Sequence, residues 1–220
     1  MDHALKVPPP WTLHGRGYIL VLKKDQLLAS DLPPWQQAKH SFFSFPMVMF
    51  VDYDGSPIGP YYELLYIPGR FKTHTGSYWT ISKIYVSTET SVRHGRENWG
   101  IPKKLANFEV HYLKNEVQVQ VFYDEKLVAR FHLKNRGPTI WVTSSLLSKS
   151  LHSFCQVWDK KAYYFVPKAR GKLGLCQILD CQGYGHDFLP FGPQNVHICL
   201  VAPVFEMVFP LSHIAALPKF

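Results

Sequence analysis

A chain of 220 residues accommodates one domain, and its 46% hydrophobic and 15% aromatic residues are enough for a sizeable core. Only 18% of the residues are charged, which argues against long disordered stretches. The net charge of +8 is spread over the chain with no Lys/Arg run longer than two residues, so no nucleic-acid partner is expected. No apolar run reaches the roughly 18 residues of a membrane-spanning helix, so no membrane partner is expected either.

The N-terminus and the cysteines give expectations about the compartment. No charged stretch leads into an apolar segment at the N-terminus, so we expect no signal peptide and a cytoplasmic protein. The cysteine spacings match no zinc or redox motif, and free thiols are therefore expected. The cysteines are Cys155, Cys176, Cys181 and Cys199. His94 and His111 have no carboxylate or thiol at ligand spacing, so no metal site is predicted.

The first half of the chain is expected to begin with an irregular arm at residues 1–15, because the prolines at 8–10 prevent regular pairing. An apolar run at 45–53 ends at Asp54-Gly55-Ser56-Pro57, a strong turn signal, and a second run follows at 61–67. These two runs are predicted to be neighbouring strands. The other elements predicted in this half are a strand at 18–22, a loop or short helix at 26–43, a strand at 83–90 and a turn or a single helical turn at 98–102.

The second half of the chain is predicted to contain a three-stranded meander. Its strands are expected at 108–113, 117–123 and 127–133. Val117, Val119 and Val121 alternate with other side chains at the period of two that is typical of a half-buried strand. The elements predicted beyond the meander are a helix at 144–153, strands at 163–166, 172–179 and 196–208, and a turn at Arg170-Gly171.

Short strands at intervals of about eight to twelve residues, separated by Gly and Pro turns, are typical of a β-sandwich or a β-barrel. We therefore predict a mainly β fold with a few short helices. A single domain at residues 16–220 is expected to follow the arm at 1–15, since no internal repeat or low-complexity linker divides the chain.

Two adjacent lysines lie near the middle of the chain. Lys103 and Lys104 follow a Gly-Ile-Pro turn and are flanked by Trp99, Ile101 and Leu105. Charged pairs are usually solvated, so two surface lysines on a strand are the simplest interpretation. Burial would instead lower the pKa of an amine, and a neutral amine attacks ketones to form an imine. Neighbouring side chains of extended backbone leave on opposite faces, so only one amine can point inward.

The lysine pair is part of a longer motif. Gly95-Arg96-Glu97 is followed after four residues by Pro102-Lys103-Lys104-Leu105, and Gly59-Pro60-Tyr61-Tyr62-Glu63 lies upstream. In order and separation these segments resemble those of the acetoacetate decarboxylase family, over about residues 45–110. The resemblance implies an antiparallel, closed or cone-shaped β-barrel with the active site inside it.

The resemblance also implies roles for individual residues. Lys103 would form the Schiff base, and Glu63 would act in proton transfer or orient the imine. The residues expected to serve the substrate pocket are Lys104, Lys23, Tyr61, Tyr62, Trp99, Ile101 and Arg96. Arg96 and Glu97 are expected to pair and hold the motif. A rim salt bridge for Glu63 and simple core packing for the aromatic residues are the alternatives.

Two positions depart from the family pattern. A second active-site carboxylate is expected about fifteen residues before Glu63, where this chain has Val48. An arginine expected in an early strand corresponds to Lys23, and lysine attracts a carboxylate without the bidentate geometry of arginine. The imine-forming lysine is therefore kept, while the pocket around it is altered.

The leading functional hypothesis is a lyase that decarboxylates a small or medium β-keto acid through a lysine imine, without a cofactor. One alternative is other imine chemistry on the same scaffold, such as aldol, dehydration or hydration reactions. Another is a catalytically silent barrel that binds an apolar carbonyl compound. The expected partners are a keto acid or ketone and further copies of the chain in a homo-oligomer.

Overall fold

The computed structural model describes residues 7–24, 45–73, 75–185 and 187–217. These residues are mostly strand and form two sheets, of which the larger has ten strands and is nearly closed into a barrel. In spatial order its strands are β7 (Lys104–Leu105), β6 (Lys83–Val86), β3 (Tyr61–Ile67), β2 (Met47–Gly55), β1 (Trp11–Leu22), β14 (Val196–Phe209), β13 (Lys168–Gly183), β10 (Lys126–Thr143), β9 (Glu116–Tyr123) and β8 (Asn107–Leu113). The predicted mainly β, barrel-shaped fold is confirmed.

A smaller sheet of five strands accompanies the barrel. In spatial order its strands are β15 (His213–Ala216), β12 (Lys161–Phe165), β11 (Phe154–Trp158), β5 (Gly76–Thr80) and β4 (Gly69–Thr73). Pairing is antiparallel at most neighbours in both sheets, while β6 with β7 and β5 with β11 are parallel. Sequence analysis did not anticipate this second sheet, because its strands are short and alternate weakly.

Strands β2 and β3 and the second half of β1 bury side chains on both of their faces. On β1 and β2 the even-numbered side chains, such as Leu20 and Phe50, belong to the core inside the barrel. The odd-numbered side chains, such as Leu13 and Val51, belong to a second core that also contains side chains of the smaller sheet. Because side chains alternate along a strand, this double burial explains why these strands read as continuous apolar runs.

The α-helix that the structure describes, α1 (Glu89–Trp99), has well-formed ends. The side chain of Thr88 caps its start by accepting a hydrogen bond from the backbone amide of Ser91 at 3.3 Å. Glu89 lies in the first turn, where a negative charge favours the helix dipole. Gly100 ends the helix with φ of 63°, in the left-handed region that glycine adopts without steric strain.

This helix corrects the predicted strand at 83–90, and it shows that the turn or single helical turn predicted at 98–102 begins with the end of a longer helix. The strand ends at Val86 and the helix follows after Thr88. The buried face of α1 carries mostly polar or small side chains: Ser91, His94, Gly95 and Asn98, together with Val92 and Trp99. A helical hydrophobic pattern is therefore nearly absent from the sequence, and this is why the helix was missed.

Three other predictions require correction. Residues 11–15 are not part of an irregular arm, because β1 begins at Trp11, directly after the last proline. The predicted helix at 144–153 is two 3₁₀ turns, Ser144–Leu146 and Lys149–Leu151. Leu146 is 87% exposed, so this segment buries no apolar face that would stabilise an α-helix.

Arg170-Gly171 lies inside β13 rather than at a turn. A Cβ atom on Gly171 would lie 2.5 Å from the carbonyl oxygen of Val204, so glycine is required there by the close approach of β14. The predicted meander is confirmed, with its third strand prolonged to Thr143. The neighbouring strands predicted at 45–53 and 61–67 pair as β2 and β3.

The prediction of a loop or short helix at 26–43 lies outside the described residues. Within the described ranges, no helix combines the length and apolar character that crossing a bilayer requires.

Candidate active site

The amine of Lys103 is buried and makes two hydrogen bonds. The residue is 5% exposed. Its Nζ donates to Oε2 of Glu63 at 2.7 Å and to Oγ of Ser91 at 3.0 Å. The structure therefore buries Lys103 and places Glu63 against its amine, as the interior active site implied by the resemblance requires.

The end of α1 sets the position of the Lys103 backbone. The amide of Ile101 donates to the carbonyl oxygen of Gly95 at 3.1 Å. The amide of Lys103 donates to the carbonyl oxygen of Ile101 at 2.8 Å. The guanidinium of Arg96 donates to the carbonyl oxygen of Lys103 at 2.5 Å and lies 5.2 Å from the centre of the Trp158 ring. The Gly-Arg-Glu motif therefore fixes the lysine through backbone contacts.

Glu63 approaches the amine from β3. It lies on the same face of the strand as Tyr61 and is paired in register with Val51 of β2. The hydroxyl of Tyr53 donates to Oε1 of Glu63 at 3.2 Å, while Oε2 accepts from Lys103. Both carboxylate oxygens therefore have a buried donor, and the carboxylate has a fixed orientation.

The two tyrosines beside Glu63 are uncharged hydrogen-bonding groups. Burial raises the pKa of Tyr53 and of Tyr61 well above the ordinary value of 10.0, and the nearby charge of Glu63 raises both further. Both phenols therefore keep their protons at neutral pH. The ring of Tyr61 also faces the amine, with its centre 5.2 Å from Nζ of Lys103.

This arrangement can move a proton within a water-poor site. In a buried ion pair, the attraction between the ions must offset the loss of hydration of both. Each charge is therefore stable at this depth only while the other is present. Transfer of one proton from Lys103 to Glu63 across 2.7 Å would leave a neutral amine with a free lone pair. Ser91 would then hold that nitrogen in place through its hydroxyl.

The pair faces a cavity of about 20 Å³, which has room for about one water molecule. Apart from Lys103 and Glu63, every wall residue of this cavity is aromatic or aliphatic. The walls include Trp11, Leu13, Tyr61, Trp99, Ile101 and Phe209. The predicted placement of Tyr61, Trp99 and Ile101 at the pocket is therefore confirmed.

Two residues predicted at the pocket point away from it. Tyr62 lies on the opposite face of β3 and packs 5.8 Å from the ring of Phe108, beside the core inside the barrel. Lys104 is exposed, and its amine lies 4.7 Å from the centre of the Tyr123 ring. Strand alternation places both outside the cavity, and for the lysines it makes Lys103 the inward residue, as predicted.

Lys23 is also not at the site. It is exposed just past the end of β1, whereas Leu13, near the start of that strand, lines the cavity. Ten residues of extended chain separate the two, which corresponds to about 30 Å. The prediction that Lys23 replaces a pocket arginine is therefore wrong.

Arg96 supports the site without lining it, and the predicted Arg96–Glu97 pair is replaced by other contacts. The guanidinium of Arg96 donates a hydrogen bond to the backbone carbonyl oxygen of Lys103. The carboxylate of Glu97 faces His94, with Oε2 3.7 Å from Nδ1. The structural role expected of Arg96 is kept, with a different partner.

Val48 lies in the core inside the barrel and is fully buried. Its strand position differs from that of Val51, the register partner of Glu63, by an odd number, so it faces away from Lys103. A carboxylate at position 48 would therefore not reach this amine.

Sequence reasoning missed Ser91 and Tyr53, whose hydroxyls contact the two ends of the Lys103–Glu63 pair. Neither belongs to a motif with a recognisable spacing. The one usable signal was the position of Tyr53 at the end of an apolar run whose pairing with 61–67 was predicted. Among the described residues no group of three or more metal-ligating side chains is present.

Comparison with known proteins agrees with this geometry. Residues 46–154 match the family model of acetoacetate decarboxylase. The chain is 30% identical over 118 residues to Protein NEOXANTHIN-DEFICIENT 1 of Oryza sativa subsp. japonica, covering 51% of this chain and 39% of that protein. It is 27% identical over 125 residues to Acetoacetate decarboxylase 1 of Bradyrhizobium diazoefficiens, covering 56% and 48%. The chain thus matches less than half the length of these relatives.

Solved structures share the fold over nearly the whole chain. An acetoacetate decarboxylase from Legionella pneumophila superposes with a TM-score of 0.68 at 13% identity, covering 98% of this chain and 92% of that one. The enduracididine biosynthesis enzyme MppR, in complex with the condensation product of pyruvate and imidazole 4-carboxaldehyde, gives 0.59 at 11% identity, covering 98% and 92%. The fold is therefore the acetoacetate decarboxylase-like barrel. The family-model match, the relatives and the shared fold together support membership of the acetoacetate decarboxylase-like family.

Proposed function

We propose that this protein is an imine-forming enzyme and that its reaction is the decarboxylation of a β-keto acid by Lys103. The observation that supports it most is the buried contact between the Lys103 amine and Glu63 at 2.7 Å, facing an apolar cavity. Glu63 accepts the ammonium proton, and the neutral amine attacks the ketone carbon. Loss of water from the resulting carbinolamine gives a protonated imine.

The imine then serves as the electron sink for carbon–carbon cleavage. The bond to the carboxylate carbon breaks, carbon dioxide leaves, and the bonding electrons enter the iminium group to form an enamine. Glu63 has by then given its proton to the hydroxyl group that left as water, so it takes up a proton from solvent and donates it to the enamine carbon. Water then hydrolyses the new imine to a ketone and the free amine. The apolar walls favour the loss of carbon dioxide, because this step converts a carboxylate that has lost its hydration into a neutral product.

A second candidate is other imine chemistry at the same lysine, such as aldol condensation or dehydration. It is favoured by the walls of the cavity, whose described residues include no cation besides Lys103 to bind a substrate carboxylate. The complex of MppR with a condensation product supports the same possibility for this fold. Both candidates need the Schiff base, and they differ in whether carbon dioxide is released.

Borohydride trapping tests the proposal. The protein is incubated with a panel of β-keto acids and methyl ketones, reduced, digested and mapped by mass spectrometry. We expect an adduct on Lys103 and release of carbon dioxide from at least one β-keto acid. Lys104→Ala should still trap, because that amine is outside the cavity. An adduct without carbon dioxide favours the second candidate, and no adduct across the panel favours a silent binding barrel.

We also propose that the chain forms a homo-oligomer. Ile140, Trp141 and Leu146 are 67%, 68% and 87% exposed and lie close together in sequence at the end of β10. Exposed apolar groups of this size favour self-association. Sedimentation velocity of the wild type and of Trp141→Ser tests this, and a monomeric wild type at micromolar concentration contradicts it.

A further inference from the structure

A long apolar groove lies beside the Lys103 cavity on the same face of the large sheet. Its volume is about 410 Å³, within the range of small-molecule sites. We call it the β1–β14 groove. The residues that matter for the argument are Ile19, Met49, Val51, Leu147, Phe205 and Met207. It has about twenty times the volume of the cavity at the amine.

The cavity at Lys103 is too small for a ketone by itself. Its volume of about 20 Å³ admits one water molecule, and a three-carbon ketone is several times larger. A carbonyl compound that reaches Lys103 must therefore displace wall side chains and extend into neighbouring space. The direction in which that space lies determines the shape of the substrate.

A single layer of side chains separates the cavity from the β1–β14 groove. Leu13 of the cavity is the register partner of Met207 of the groove. On β14, Phe209 lines the cavity, and Met207 follows on the same face about 7 Å away. These contacts make the groove a direct continuation of the cavity along the sheet.

The same continuity holds on the side of Glu63. Glu63 lines the cavity and its register partner Val51 lines the groove. Between them and β14, the ring of Tyr53 packs edge to face against Phe205, with 5.9 Å between ring centres. Phe205 and Met207 are only half-buried, so rotation of these two side chains opens the layer at little packing cost.

The charged side chains that line the groove belong to β13. Of its lining residues, Arg170 and Lys172 are charged. Arg170 is paired with Glu206 at 3.0 Å, and the amine of Lys172 lies 5.8 Å from the centre of the Trp141 ring. The described lining residues on β1, β2 and β14 are all apolar, and these walls suit a hydrocarbon chain rather than a polar or charged one.

We propose that the β1–β14 groove binds the hydrocarbon tail of the substrate, so that the substrate is a keto acid or ketone with an unbranched apolar chain. This inference rests on the proposed function for the position of the carbonyl group at Lys103. The volume of the groove corresponds to about a dozen water-sized groups, which fits a chain of roughly ten carbons. The carboxylate of a β-keto acid would remain on the amine side of Phe205.

The proposal is tested by calorimetric titration of a series of methyl ketones, from 2-butanone to 2-nonanone, into the Lys103→Ala protein and the wild type. Lys103→Ala forms no imine, so its affinity for a ketone measures the non-covalent binding of the hydrocarbon tail. We expect affinity to rise about two- to fourfold per added methylene in both proteins, from the transfer of each methylene out of water. A flat series in both proteins overturns the proposal.

Blocking variants locate the site. Ala202 and Ala169 line the groove on different strands, and we expect Ala202→Trp and Ala169→Leu each to reduce 2-nonanone binding at least tenfold while leaving 2-butanone unchanged. The matched control is Ala215→Trp, in a separate concavity of about 880 Å³ lined by Tyr164 and His213. Loss of binding in Ala215→Trp, with the two groove variants unaffected, overturns the assignment.

Two further outcomes separate the possible failures. If affinity rises with chain length but borohydride gives no adduct in the wild type, the groove is supported as the site of the tail and the proposed imine reaction is contradicted. If no ketone binds and Ala202→Trp instead dissociates an oligomer in sedimentation velocity, the groove is an interface between copies of the chain and the proposal is wrong. Melting temperatures of all variants confirm that each remains folded during the titrations.

Discussion

The aliphatic stem of Lys103 lies against Gly95 with no room for a methyl group between them. A Cβ atom on Gly95 would lie 2.6 Å from Cδ and 2.8 Å from Cε of Lys103. The glycine of the Gly-Arg-Glu motif is thus required by the lysine that follows it eight positions later. The helix and Lys103 pack this closely because residue 95 has no side chain.

Gly95→Ala should therefore move the amine away from Glu63. We expect a loss of at least tenfold in the rate of borohydride trapping, because a displacement of the amine by about 1 Å disturbs both its hydrogen bonds and its approach to the ketone. Helix propensity favours alanine by roughly 1 kcal/mol, which partly offsets the steric cost to stability. Gly185→Ala, where the nearest atom to a new Cβ is 3.4 Å away, is the control and should trap normally. Equal trapping rates in both variants would contradict this account.

The buried pair of Lys103 and Glu63 should show strong energetic coupling. Removing one partner leaves the other charge buried, so Lys103→Met and Glu63→Gln should each destabilise the protein by about 3 kcal/mol. The double variant should cost clearly less than the sum of the two, because no unpaired charge remains. Urea unfolding of the four proteins measures this cycle.

Lys104→Met is the control for that cycle, because its amine is exposed and contacts the ring of Tyr123. It should cost about 1 kcal/mol or less. If the losses in unfolding free energy of the two single variants add up to that of the double variant, the contact between Lys103 and Glu63 does not stabilise the fold.

Ser91→Ala should slow the reaction of the Lys103 amine much more than it destabilises the fold. The Ser91 hydroxyl accepts a hydrogen bond from Lys103 at 3.0 Å, and its loss frees the neutral amine to rotate. We expect trapping to slow by roughly tenfold with a stability loss of only about 1 kcal/mol. Ser91→Thr keeps the hydroxyl and should recover part of the rate. A Ser91→Ala protein with wild-type kinetics would show that the hydroxyl does not position the nucleophile.

High pH should destabilise the protein through its buried tyrosines. The folded-state pKa values of Tyr53 and Tyr61 lie well above 10.0, while unfolded tyrosines ionise near that value. Their stabilising contribution is therefore complete below about pH 10 and is lost as the pH rises above it. We expect the melting temperature to fall between pH 9 and pH 11, and to fall less in Tyr53→Phe, which cannot ionise. An equal fall in both proteins would contradict this role for Tyr53.

The contact between Lys103 and Glu63 could be predicted because both residues lie in segments with a recognisable order and spacing. The inward lysine could be predicted because strand alternation is a local rule. Ser91 could not be predicted, since its role depends on a helix whose buried face has little hydrophobic character. Lys23 was misplaced because chain order alone does not show which end of a strand approaches the site. The groove arises from pairing β1 with β14, a contact between the two ends of the chain that no local pattern reveals.

The repetition of lysine at positions 103 and 104 has a consequence for insertions and deletions. Deleting either residue gives the same protein, in which one lysine still follows Pro102 and still begins where the helix-end contacts place the backbone. The lost position is then the outward one, so Leu105 moves into the place that Lys104 held on β7. A single-codon deletion at this pair therefore keeps a lysine after Pro102, but it shifts the residues that follow by one position, including buried Ala106, whose amide donates to the carbonyl oxygen of Val86.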